Sequence, residues 1–178
     1  MGRTYATLGE LWAVQSSERQ RFYDANEAWW SAGGYCGSTD ECAMIGDDAS
    51  DADVATSIRF LEGLLSRTPG LRLQTVLDAG AGVGRVTKQV LLKRCAECHL
   101  LEACPEWSKQ SRRYLGKKRA AACTFIQARV ETYVPPPNMY DLVWVQWVLQ
   151  YLVDSDAIAA LQQAPPPPRS ACLAASKA

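Results

Sequence analysis

The sequence predicts an α/β domain built on a parallel sheet with helices over both faces. Between residues 75 and 164, short apolar runs alternate with amphipathic segments of helix length. The runs are apolar almost throughout rather than at every second residue, the mark of strands covered on both sides. A third observation is the run Gly80-Ala81-Gly82-Val83-Gly84 at the joint between the first strand and the helix after it. In such a sheet a ligand sits beyond the carboxyl ends of the strands, where strand order reverses, and the glycines mark that place.

A first helix is expected over 17–30, capped by Ser17, with Phe22, Ala25 and Trp29 on one face. Residues 31–50 are glycine-rich and acidic and are expected to be a mobile segment. A second helix follows from 51 or 53 to about 66, with Val54, Ile58, Leu61 and Leu65 in a stripe, stopped by Thr68-Pro69-Gly70. Then come strand 75–79, helix 84–94 with Val83, Val86 and Val90 facing the sheet, strand 99–102, and helix 105–115 with Pro105 in its first turn. Strands over 124–128 and 141–148 and a helix over 154–164 complete the series. Tyr133-Val134-Pro135-Pro136-Pro137 is a rigid connector. The strand at 140–148 needs a neighbour on its outer edge, and no later segment has the composition of a strand. Three units result: an N-terminal helical and lid segment (1–50), a ligand-binding core (51–164) and a Pro/Ala-rich tail (165–178) expected to be disordered.

The 178 residues suffice for one domain with a real core, and 19 Lys plus Arg balance 19 Asp plus Glu. That balance leaves no overall field to favour nucleic acid or an anionic membrane, and neither is expected as a partner. No apolar run is long enough to span a bilayer, and the start of the chain does not read as a signal peptide. The seven cysteines are odd in number and scattered. Cys95, Cys98 and Cys104 with the lone His99 do not close a tetrahedron, so no metal site is expected. Reduced thiols point to the cytoplasm, the nucleus or both.

The glycine spacing is not the dinucleotide pattern G-x-G-x-x-G, because Arg85 stands where the third glycine would fall. No Lys-Ser or Lys-Thr pair follows, which excludes a triphosphate loop. Asp78 precedes the glycines, and Glu102 closes the next strand about where ribose hydroxyls of an adenosine would lie.

With Asp78, Gly80, Gly82 and Gly84 the chain resembles the seven-strand S-adenosylmethionine-dependent methyltransferases, whose first motif reads D-x-G-x-G-x-G. Further stretches narrow the resemblance: Tyr114-Leu115-Gly116, Tyr140-Asp141, Val143-Trp144-Val145-Gln146-Trp147-Val148-Leu149, Phe22-Tyr23, Trp30, and Met44-Ile45-Gly46 ahead of Asp53-Val54. Together they are similar to the eukaryotic protein N-terminal α-amine methyltransferases over roughly residues 18 to 164. That family methylates the free amino group of proteins beginning Xaa-Pro-Lys, with S-adenosyl-L-methionine as cofactor. The resemblance implies a Rossmann-like class I sheet, here with the first four strands and without the last three.

By the same resemblance, Gly80 and Arg85 contact the methionine part of the cofactor, and Gly82 and Gly84 let the loop approach. Glu102, an Asp in the family, accepts from the ribose. Ala103 and Cys104 line the adenosine, Val130 and Glu131 hold the adenine, with Glu131 in place of a glutamine, and Gln146 reaches the cofactor. Trp30 and Trp147 line the channel for the peptide N-terminus. Tyr151 stands where well-known members carry a histidine that assists amine deprotonation. Gly46-Asp47-Asp48 replaces the glycine pair and tyrosine of the family's first loop. The residues that grip the substrate amine in the family come from the second half of the sheet. The expectation is therefore a shortened or alternatively ended form, with cofactor binding kept in part and transfer impaired. A small-molecule methyltransferase of the same fold, and a non-catalytic cofactor-binding or interaction fragment, stay open as alternatives.

Overall fold

The computed structural model describes residues 6–31, 45–46, 49–163 and 174–177. Its sheet has 5 strands, β1 (Thr75–Ala79), β2 (Glu97–Glu102), β3 (Cys123–Gln127), β4 (Leu142–Gln146) and β5 (Ala174–Lys177), in the order β3-β2-β1-β4-β5 with every pairing parallel. The chain winds outward from β1 through β2 to β3 and then returns to the other side of β1 with β4. Strand order reverses at β1, which opens a crevice at its carboxyl end.

Successive strand residues point to opposite faces, so each buried strand feeds two cores. Val76, Cys98, Leu100, Leu142 and Trp144 pack on one face against Leu61 and Leu64 of α3 (Ser50–Arg67) and against Val86, Val90 and Leu91. Leu77, Ala79, Leu101, Val143 and Val145 form the second core with Tyr140. Val86 and Val90 are buried on the sheet, as expected, but Val83 precedes the helix and packs instead with Cys104 and Trp107. The helix is shorter than expected: α4 (Arg85–Gln89) contains only Val86 of the three and is capped by Val90, and a 3-10 turn (Leu91–Lys93) follows. Helix α5 (Pro105–Ala120) begins on its proline and is interrupted at Gly116, whose φ of 73° is outside the helical range.

The N-terminal region departs from expectation. Two helices, α1 (Leu8–Ser17) and α2 (Arg19–Ser31), replace the single one, and Ser17 ends the first rather than capping the second; its hydroxyl donates to the Val14 carbonyl at 3.1 Å. The face of α2 turned inward carries Tyr23, Asn26 and Trp30, while Ala25 and Trp29 are exposed. The more apolar stripe loses because the Tyr23 hydroxyl finds partners on α6 (Asp154–Gln163) and on the chain leading into it. The expected mobile segment falls almost wholly outside the described residues, as do Met44 and the Asp47-Asp48 part of the first loop.

The expectation of no strand beyond residue 164 is corrected. Strand β5 pairs with β4 in the register Val143↔Ala174 to Gln146↔Lys177. The open edge of β4 did require a neighbour, and ladder hydrogen bonds come from backbone groups that Ala, Ser and Lys carry like any residue. Composition therefore gave no warning. The other tail residues lie outside the described ones.

Candidate functional site

The crevice beyond β1 has a cavity volume of about 190 Å³. Its floor is the loop from β1 to α4, whose Gly80 and Ala81 N–H groups both donate to the Leu101 carbonyl, at 2.8 and 3.0 Å. Beside it, one carboxylate oxygen of Glu102 accepts from Gly82 N and the other from Cys104 N, each at 2.8 Å. Glu102 thus clamps the loops after β1 and β2 together, and its carboxylate keeps acceptor capacity for a ligand. Burial pushes its pKa up, against the pull of these backbone N–H groups.

The three glycines are there for different reasons. All have positive φ. A Cβ on Gly80 would overlap the Val148 Cγ2 methyl, and one on Gly84 would press Leu100 at 3.1 Å. Both are glycines of packing, and Gly84, unlike the other expected residues, does not line the crevice. Only Gly82 faces open space.

Opposite the loop, α3 brings Asp53 under the end of β4. Arg85 opens α4 pointing inward, and its Nη2 donates to Asp53 Oδ2 at 2.7 Å, with side chains 8% and 5% exposed. Arg85 Nη1 is buried with no hydrogen-bond partner. Asp53 also receives Gln146 Nε2 at 2.9 and 2.8 Å and Trp147 Nε1 at 3.2 Å. Gln146 Oε1 accepts from Trp144 Nε1 at 2.8 Å and Ser57 Oγ at 3.2 Å, so its amide orientation is set from both ends. Trp147, one residue past β4, has φ at 59°, a left-handed backbone that a non-glycine residue adopts only where its surroundings impose it.

The roof is α2. Trp30 meets Trp107 and Tyr151 edge-on, with ring centres 6.4 and 5.6 Å apart, and Asn26 Nδ2 donates to the Tyr151 carbonyl at 3.3 Å. Tyr23 donates to Asp156 at 2.5 Å and accepts from Val153 N at 3.2 Å. Burial first, and the carboxylate second, push the Tyr23 pKa up to about 12. Val130 and Glu131 complete the wall after β3, where Arg129 pairs with Glu27 of α2 and lies 3.9 Å from Glu131.

Gly80, Gly82, Arg85, Glu102, Ala103, Cys104, Val130, Glu131, Gln146, Trp30, Trp147 and Tyr151 therefore share one crevice. Sequence reasoning passed over Asp53 and Ser57. The signal was present, since two polar residues four apart interrupt the inner face of an otherwise apolar helix stripe. Among the described residues no group of three or more His, Cys, Asp or Glu is placed to hold a metal. His99 engages both ring nitrogens, with Tyr140 at 2.9 Å and Glu97 at 3.0 Å. No described helix is long and apolar enough to cross a membrane.

Asp78, at the end of β1, is 3% exposed and accepts from Thr87 Oγ1 at 2.5 Å. Burial pushes its pKa from 3.8 to about 6. The fold thus favours the protonated acid, so stability from this group is complete below the unfolded pKa and is lost as pH rises through about 6. The difference between the two limits is about 3 kcal/mol. Asp78→Asn, which keeps an acceptor for Thr87, is expected to remove that part of the stability loss between about pH 3.5 and 7 in urea unfolding. Equal pH slopes for the two proteins would contradict it.

Comparison with known proteins agrees with this geometry. The sequence matches the family described as "AdoMet dependent proline di-methyltransferase" over residues 18–167. It is 35% identical over 138 residues to the Caenorhabditis elegans "Alpha N-terminal protein methyltransferase 1", covering 76% of this chain and 57% of that one. It is 31% identical over 106 residues to the Homo sapiens "N-terminal Xaa-Pro-Lys N-methyltransferase 1", covering 59% and 48%. The chain spans about half the length of these curated relatives. A solved SAM-dependent methyltransferase from Leishmania major superposes with a TM-score of 0.70 at 29% identity, over 93% of this chain and 68% of that one. With a match across most of its length and the same sheet beneath it, this chain belongs to the AdoMet-dependent proline di-methyltransferase family.

Proposed function

We propose that the crevice binds S-adenosyl-L-methionine and serves methyl transfer to the free α-amino group of protein N-termini of the Xaa-Pro-Lys type. The observation that carries the reading is Arg85: a buried guanidinium, charge-paired on one nitrogen and without a hydrogen-bond partner on the other, lining the same crevice as Glu102. A nucleoside with an amino-acid tail fits both ends, its carboxylate on Nη1 and its ribose hydroxyls on Glu102. Gly82 leaves space for it without the obstruction of a side chain. The names of the relatives support the acceptor.

The cofactor, when bound, supplies a methyl group already activated by the sulfonium charge. The protein's own share is alignment and exclusion of water. Trp30, Trp147 and Tyr151 wall the crevice with aromatic faces, which favour an amine that gains positive charge as it is methylated. An α-amine with pKa near 8 is about one-tenth neutral at pH 7, a cost of roughly 1.4 kcal/mol, whereas a lysine amine at about 10.4 costs roughly 4.6 kcal/mol. A modest proton acceptor suffices for the first, and the Tyr151 position is the proposed one.

Incubation with labelled S-adenosylmethionine and a Ser-Pro-Lys peptide is expected to place label on the free N-terminus and none on the acetyl-blocked peptide. Label on the lysine of the blocked peptide, or only on small amines in a substrate panel, would overturn the acceptor. Calorimetric binding of S-adenosylhomocysteine without transfer would restrict the reading to a cofactor-binding module.

A further inference from the structure

We infer that Asp53 is a positioning residue that makes the crevice read the amino-acid end of its nucleoside ligand, by orienting Arg85, Gln146 and Trp147 from one buried carboxylate. The inference rests on the proposed cofactor reading and assigns a task to a residue that touches the crevice only through others; Asp53 does not itself line it.

Each oxygen of Asp53 takes two donors. Oδ2 accepts from Arg85 Nη2 at 2.7 Å and Gln146 Nε2 at 2.8 Å, and Oδ1 accepts from the same Gln146 nitrogen at 2.9 Å and from Trp147 Nε1 at 3.2 Å. A carboxylate offers about four acceptor sites, and these contacts engage both oxygens. Three donors from two different elements, the start of α4 and the end of β4, are thereby set on a third element, α3. A flexible arginine would otherwise sample many rotamers; pinned at Nη2, its planar fork turns Nη1 to a fixed direction. Nη1 is the buried nitrogen with no partner of its own. Gln146 is held at the other end by Trp144 and Ser57, so Asp53 decides where its amide nitrogen lies. Trp147 keeps a left-handed backbone, φ 59°, beside a carboxylate that receives its indole N–H.

Glu102 belongs to a different set of hydrogen bonds, joining Gly82 and Cys104. The crevice is therefore served by two carboxylates, Asp53 through Arg85, Gln146 and Trp147, and Glu102 through Gly82 and Cys104. Loss of one should weaken recognition of one half of the ligand and spare the other. A role in stability alone would loosen the crevice for both halves together.

The test uses Asp53→Asn and two probes, S-adenosylhomocysteine and 5′-methylthioadenosine, which share the nucleoside and differ in the amino-acid tail. Asparagine keeps the volume but turns an N–H₂ toward donors. Calorimetry is expected to show the Kd for S-adenosylhomocysteine raised at least about 30-fold, as for a buried charge pair that loses one partner, while that for 5′-methylthioadenosine changes less than about threefold. Ser57→Ala, which frees Gln146 without removing a charge, is expected to shift the same probe in the same sense by about 3- to 10-fold, and reads the network if Asp53→Asn does not fold. Equal weakening of both probes in either variant, or no change in either, would overturn the inference while leaving the cofactor reading intact. A native protein that binds neither probe would overturn both.

Discussion

Gly80→Ala is expected to destabilise the domain by about 3 kcal/mol, and Gly82→Ala, two residues on, by about 1 kcal/mol. Both glycines have positive φ, so both variants carry the steric cost of a Cβ in left-handed backbone. The difference lies in what the new methyl meets. At Gly80 it runs into Val148, overlapping Cγ2 and lying 3.1 Å from Cγ1. Val148 is β-branched, with few rotamers to escape into, and it follows a Trp147 whose backbone is already constrained. At Gly82 nothing lies within 4 Å. The consequences for binding run the other way. Gly82→Ala leaves a folded protein with a methyl projecting where a ligand must pass, and its Kd for S-adenosylhomocysteine should rise by at least about tenfold. Urea midpoints at unchanged slope check the first part, and calorimetry checks the second. Equal midpoints for the two variants would contradict the division of roles.

Arg85→Met is expected to abolish measurable S-adenosylhomocysteine binding and to destabilise the fold by about 3–5 kcal/mol. The stem of the side chain keeps its packing in this variant, so the loss is chiefly one of charge. Asp53 is left 5% exposed with an uncompensated carboxylate, still bonded to Gln146 and Trp147 but without its cation. A second substitution, Asp53→Asn, removes the buried charge and should return part of the stability while binding stays lost. Thermal unfolding of the single and double variants, each with and without ligand, separates the two effects. A double variant less stable than Arg85→Met would show that the ion pair is not what its burial costs.

The strands were legible because burial on both faces leaves an unbroken apolar run, and that pattern has few other causes. Strand β1 appears at the predicted residues and β2 to β4 within a few, and the glycines stand at the reversal of strand order. The crevice residues were legible through a resemblance that names positions rather than contacts, and it included Gly84, which packs against Leu100 and does not line the crevice. Contacts are what the sequence hid. The inward face of α2 follows the hydroxyl of Tyr23, not the larger apolar stripe, because a phenol with two partners is better buried than an unanchored Trp29. Asp53 did not stand out in the sequence, because it lies in the first turn of α3, where a carboxylate is favourable in solvent as well. Its burial depends on Arg85, 32 residues away, and on β4, 93 residues away. β5 was hidden most completely, because an edge selects its partner by backbone geometry and four residues of Ala, Ser and Lys advertise none.

The central claim is that the end of β1 is a seat for a sulfonium nucleoside, gripped at the ribose by Glu102 and at the carboxylate by Arg85. Diffraction from crystals grown with S-adenosylhomocysteine tests it most directly. Density for the nucleoside between Gly82 and Trp30, with its hydroxyls on Glu102 and its carboxylate on Arg85 Nη1, is the predicted result. A ligand bound elsewhere on the protein, or a crevice left vacant at saturating concentration, would contradict it.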